Sequence, residues 1–202
     1  MHELRVVSDF QYCVFEIARG REAWTALSAS VREGSKSLST SGGMVALFAP
    51  QLGFASNEAA VLARGIDAKH LTPAGVVLRV QEDTLSATVR PREGQRLREG
   101  GIYVHRWFTI DGCHLADFID LSERAWAGFE GSYDTEIFGL FAAQESASDA
   151  LAGARRLLLL TWYGDHGVWK ASREPTRDAA SLFAQRHLLT RMTIGRSSVR
   201  VL

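Results

Sequence analysis

The sequence predicts an α+β fold made of two copies of one small strand-and-helix unit, joined head to tail. Three observations predict it. Short segments alternate apolar and polar residues with the two-residue period of a strand. In each half a helical stretch with a single apolar stripe follows the first such strand. Between the halves, residues 91–101 are charged, bear glycine and are almost free of apolar residues, and after them the pattern restarts.

In the first half, residues 12–18 read as a strand ending at Arg19-Gly20. A helix follows over 21–32, with Trp24, Leu27 and Val31 spaced along one face. Residues 35–43, rich in serine and glycine, have loop composition. Strands are expected at 44–49, stopped by Pro50, and at 57–64, closing at Gly65. Residues 76–80 and 85–89 suggest a hairpin turning at Glu82-Asp83.

In the second half, residues 102–110 form a strand and Asp111 is placed to cap a helix over 113–127, which carries Leu115, Phe118, Ile119, Leu121 and Trp126. A strand at 136–142, a polar loop at 144–153 and a strand at 157–163 come next. Helical stretches at 166–172 and 178–187 flank an interruption near Pro175, with Asp165 placed to cap the first. Residues 192–202 close the chain as one strand, or as two with a turn at Gly195.

The shared order is supported by residue matches. Tyr12 aligns with Tyr103, Trp24 with Leu115, Leu27 with Phe118, and Leu47-Phe48-Ala49 with Leu140-Phe141-Ala142. The offset grows along the chain, as insertions in loops make it do, and the second helix of the second copy has no counterpart in the first. The domain boundaries expected are 1–92, a linker at 93–100, and 101–202.

Lys plus Arg equals Asp plus Glu, 23 each, so bulk charge gives no attraction to nucleic acid or an anionic membrane. No apolar run is long enough to span a bilayer, and the polar opening Met-His-Glu-Leu-Arg does not read as a signal peptide, so a cytoplasmic protein is expected. Cys13 and Cys113 have no metal-ligand or redox spacing and read as two reduced thiols. No phosphate loop, nucleophile elbow or zinc-helix motif is present, and neither a metal nor a cofactor is expected.

The second copy resembles the NIPSNAP family of the ferredoxin-like dimeric α/β-barrel superfamily. The residues that carry the resemblance are Tyr103-Val104-His105-Arg106-Trp107-Phe108 through Leu115-Ala116-Asp117-Phe118, then Leu158 through Asp165, and Trp169-Lys170-Ala171-Ser172-Arg173. The resemblance implies two ferredoxin-like units whose antiparallel sheets pack as a pseudo-dimeric α/β barrel. In relatives two chains supply those sheets; here one chain is expected to supply both, with a homodimer of whole chains still allowed. The family has no agreed catalytic residues, so none is transferred.

Strand alternation gives candidate site residues. Ile102, Val104, Phe108 and Ile110 should face the helices, a face that Arg106 interrupts. Tyr103, His105 and Trp107 fall on the opposite face, as Tyr12 and Glu16 do on the matching first strand. Such an amphipathic set could hold a small ligand or move a proton, although tyrosine and tryptophan often simply fill an interior. The expected function is therefore small-molecule binding or protein interaction without catalysis. The alternative, which the superfamily resemblance implies, is a cofactor-independent oxygenase or a haem-handling enzyme.

Overall fold

The structure is a computed structural model, and it describes residues 10–38, 43–174 and 177–202. Part of the expected serine-glycine loop and the interruption at Pro175 lie outside the described residues. The chain divides into two compact units: one up to Ser86 that also takes Arg200–Leu202, the other Ala87–Val199.

The first unit contains β1 (Phe10–Ile17), α1 (Arg21–Ser37), β2 (Met44–Leu52), β3 (Glu58–Arg64), a 3-10 turn at Ala68–Leu71 and β4 (Val77–Ala87). β3 pairs antiparallel with both β1 and β2, and β1 pairs with β4, so the strand order is β2-β3-β1-β4. Cys13, Phe15 and Ile17 point to one side and pack with Leu27 and Val31 of α1 in a buried core. Burial pushes the Cys13 thiol up to about 12, which leaves it protonated and inert.

The second unit contains β5 (Ile102–Asp111), α2 (Leu115–Ser132), β6 (Thr135–Ala143), α3 (Ala147–Leu151), β7 (Ala154–Tyr163), α4 (His166–Ala171), α5 (Arg177–Leu188) and β8 (Thr190–Arg200). β7 pairs antiparallel with β5 and β6, and β5 pairs with β8, giving β6-β7-β5-β8. This is the order of the first unit, strand for strand. The α+β class with two tandem ferredoxin-like antiparallel units is therefore what the chain adopts. As expected, α4 and α5 stand where the first unit has only the 3-10 turn. Ile102, Val104, Phe108 and Ile110 of β5 pack with Phe118, Trp126 and Phe129 of α2.

Several elements differ from the reading of the sequence. Residues 77–87 are one strand, not a hairpin: Glu82 and Asp83 stay in register opposite Cys13 and Tyr12, and Glu82 ion-pairs with Lys69 at 2.5 Å. The Glu-Asp pair looks like a turn but brings no glycine to a tight hairpin, and the neighbouring strand satisfies its backbone. β2 runs on through Pro50 because its register with β3 already ends at Phe48, where a missing N–H costs no bond in that ladder. The polar loop at 144–153 holds the short α3, closed by a capping box between Ser146 and Asp149. Asp165 caps α4 as expected, accepting from the Val168 amide at 2.8 Å. Asp111 caps nothing; its carboxylate pairs with Arg191.

The charged stretch 93–100 packs on the second unit. Gln95 donates to the Ile137 carbonyl at 3.2 Å, Arg98 lies 3.8 Å over the Trp162 ring, and Tyr103 donates to the Arg98 carbonyl at 2.8 Å. Among the described residues, no helix is long and apolar enough to cross a membrane.

Candidate functional site

The five residues singled out from the sequence lie on strand faces turned away from the helices. In the first unit Tyr12 is buried, and Glu16 ion-pairs at 3.1 Å with Arg79, its direct cross-strand neighbour. In the second unit Tyr103, His105 and Trp107 share one face of β5. His105 is fully buried, with Nε2 2.7 Å from Ser198 Oγ on β8. Burial first, and the Arg196 charge second, push its pKa down to about 3, so it is a neutral imidazole at physiological pH. Trp107 is half-buried, with the Arg156 guanidinium 5.5 Å over its ring. None of the five lines the two cavities described next.

Those cavities belong to the second unit and lie on the opposite, helix-facing side of its sheet. One has a volume of about 300 Å³ and the other about 360 Å³, and Arg106, Arg173, Phe183, Arg186 and His187 line both. Arg106 is the sheet residue that lines both of them. It occupies a helix-facing position of β5 between Val104 and Phe108, where every other residue is apolar and packed in the core.

The helices contribute by their periodicity. On α2, Phe118, Leu121, Ser122, Ala125, Trp126 and Phe129 form the buried stripe, and Trp126 and Phe129 reach the first cavity. On α5, Ala179, Phe183 and Arg186 recur at helical spacing, which puts an arginine on a stripe otherwise apolar. Arg186 is 6% exposed. Its guanidinium donates to Ser122 Oγ at 3.2 Å and lies 4.8 to 5.4 Å from the rings of Phe108, Phe118 and Phe183. Burial and the nearby charge of Arg106 lower its pKa to about 9, which leaves it cationic at neutral pH. β7 contributes Thr161 and Tyr163, whose hydroxyl is held protonated by burial.

The first cavity thus has aromatic walls (Trp126, Phe129, Phe183) and a few converging polar groups, the usual make-up of a small-molecule site. Sequence reasoning missed it, yet its two signals were legible. One was Arg106 breaking the apolar face of its strand; the other was the 179-183-186 spacing that carries Arg186 onto a buried stripe. His187 also lines both cavities.

No family model matches the sequence, and no curated protein matches it. Solved structures do resemble it. A protein provisionally named a monooxygenase, from Fusobacterium nucleatum, has TM-score 0.66 at 8% identity, over 98% of this chain and 94% of that one. An anthrone oxidase-like protein has TM-score 0.60 at 9% identity, over 96% and 92%. A heme-binding protein from Thermus thermophilus has TM-score 0.56 at 10% identity, over 97% and 92%. At such identities the likeness is one of fold: this chain shares the ferredoxin-like fold of those proteins over nearly its full length.

Proposed function

We propose that this chain is a small-molecule-binding protein whose ligand sits in the second unit, between β5, β7, α2 and α5. The observation that carries the reading is the cavity of about 300 Å³, walled by Trp126, Phe129 and Phe183 and entered by polar side chains from the sheet and α5. That volume is at the small end of the range for ligand sites, about 300–1,000 Å³, and suits a compound of one or two rings. The neighbours' names, which speak of oxidation of an anthrone and of haem binding, agree with ligands that are flat and largely apolar. We also propose that the second unit is NIPSNAP-like, on the residues Tyr103 through Phe108 and Leu158 through Asp165. Tyr12, Glu16, Tyr103, His105 and Trp107 enter this proposal as a second candidate surface, with interior packing as their competing role.

Catalysis by a cofactor-independent oxygenase is the second reading. It is favoured by the His187 imidazole on the cavity wall, a side chain of the type that serves as a general base. Haem fits less well. A porphyrin with its propionates exceeds a cavity of about 300 Å³, and the imidazole on the wall, His187, is exposed instead of buried facing an iron.

A thermal-shift series with neutral two-ring aromatics such as 2-naphthamide tests the binding reading. Stabilisation is expected, and its loss is expected in Thr161→Met, which fills the cavity from β7. Stabilisation unchanged in Thr161→Met would move the ligand elsewhere. Oxygen uptake with anthrone, abolished in His187→Ala, would establish the oxygenase reading in place of binding alone. A haemin titration is expected to show no Soret shift.

A further inference from the structure

We infer that the helix-side cavity of the second unit selects a flat aromatic anion, a carboxylate carried on one or two rings, which Arg186, Arg106 and Arg173 bind. This rests on the small-molecule reading above and adds the ligand's charge and the groups that recognise it.

Arg186, Arg106 and Arg173 line the same two cavities, and among the described residues neither cavity wall carries an aspartate or glutamate. Among the described residues, none of the three forms an ion pair, although the chain elsewhere pairs its arginines, as in Arg90 with Glu130 at 2.6 Å and Arg156 with Asp149 at 3.2 Å. A guanidinium has five N–H donors. Among the described residues, Arg186 uses one, on Ser122 Oγ, and its remaining contacts are faces of phenylalanine rings. A cation that is 6% exposed and lacks a carboxylate is costly to bury, and a second arginine close enough to repel it raises that cost.

A second observation points the same way. The indole N–H of Trp126, on the wall of the first cavity, and that of Trp169, on the wall of the second, are buried without a hydrogen-bond acceptor. Unmet donors of this kind are rare in folded proteins and call for an explanation. In each cavity the unmet groups are donors or cations, the kind of group that an anion satisfies. A planar carboxylate matches the fork of a guanidinium in two parallel hydrogen bonds. The remaining walls are the rings of Trp126, Phe129 and Phe183, which favour an aromatic body over a small inorganic anion.

The test compares 2-naphthoate with 2-naphthamide, which differ in charge but hardly in size, by isothermal titration calorimetry on the full chain. 2-Naphthoate is expected to bind roughly 10- to 100-fold more tightly, the worth of a charge-assisted pair. Arg186→Met is expected to erase that preference. If that variant does not fold, Arg173→Gln, at an exposed position, is expected to reduce the preference without unfolding the protein. Equal affinity for the two probes would overturn the inference while leaving small-molecule binding intact. Binding of neither probe would overturn both. A preference retained in the arginine variants would place the anion elsewhere and overturn the assignment.

Discussion

His105 and Arg186 are both buried and both titratable, and the protein treats them differently. His105 stays neutral: its folded pKa of about 3 lies below the ordinary histidine value of 6.5, because burial disfavours the imidazolium. Between those values the unfolded chain binds the extra proton and the folded chain does not. The stabilisation is therefore complete above pH 6.5 and is lost as pH falls from there towards 3. Replacing His105 by glutamine keeps a hydrogen-bonding partner for Ser198 and removes the titration. Denaturant unfolding at pH 7 and pH 5 should then show the wild type losing about 2 kcal/mol more than His105→Gln over that interval. Equal losses would mean that His105 is accessible to protons in the folded state. Arg186 cannot escape its charge in this way, so the surroundings must bear it, and that constraint marks its cavity as the place for an anion.

Among the elements, α1 and α2 follow the expected stripes, but burial is graded along them. Leu27 and Phe118, aligned between the copies, are both fully buried, whereas Trp24 and Leu115, one turn earlier, are only half-buried against their cores. The apolar stripes predict burial of Trp24 and Leu115 between helix and sheet, and the structure corrects this to partial burial, each against the core of its own unit. Phe118→Ala should cost about 3–5 kcal/mol and Leu115→Ala clearly less, by urea unfolding. A larger loss at Leu115 would put the packing centre at the helix start. On α3, Ser146→Ala removes the side-chain partner of the Asp149 amide and should cost about 1 kcal/mol. If stability is unchanged, the capping box is not closed in solution.

At the scale of the whole molecule, the chain does not divide at a single cut. Arg200–Leu202 belong to the first unit: the Val201 amide donates to the Leu47 carbonyl at 2.9 Å, the Leu47 amide donates to the Leu202 carbonyl at 3.3 Å, and Leu202 packs on the first core. Ending the chain at residue 199 should therefore destabilise the first unit, by about 1–3 kcal/mol for two backbone bonds and a half-buried leucine. The readout is amide hydrogen exchange at Leu47, expected to speed up. Unchanged protection at Leu47 would show that the C-terminal residues do not hold β2. A fragment ending near residue 92 should be weakened for the same reason, since it lacks these residues.

The sequence by itself determined the class, the duplication and the face of each first strand. These follow from local periodicity: a two-residue alternation separates Val104 and Phe108 from Tyr103 and His105 whatever surrounds them, and the same order of elements recurs in both units. Local signals were weaker where two outcomes share one composition, as with Glu82-Asp83, which reads as a turn until a neighbouring strand takes its hydrogen bonds. The site was visible only in fragments. Arg106 stood out on an apolar face and Arg186 on an apolar stripe, 80 residues apart in the chain, and nothing local relates them. Tertiary packing decided that β5 and α5 bring them to one cavity with no carboxylate among its described lining residues, because pairing of charges and filling of space are properties of neighbours in the fold and not of neighbours along the chain.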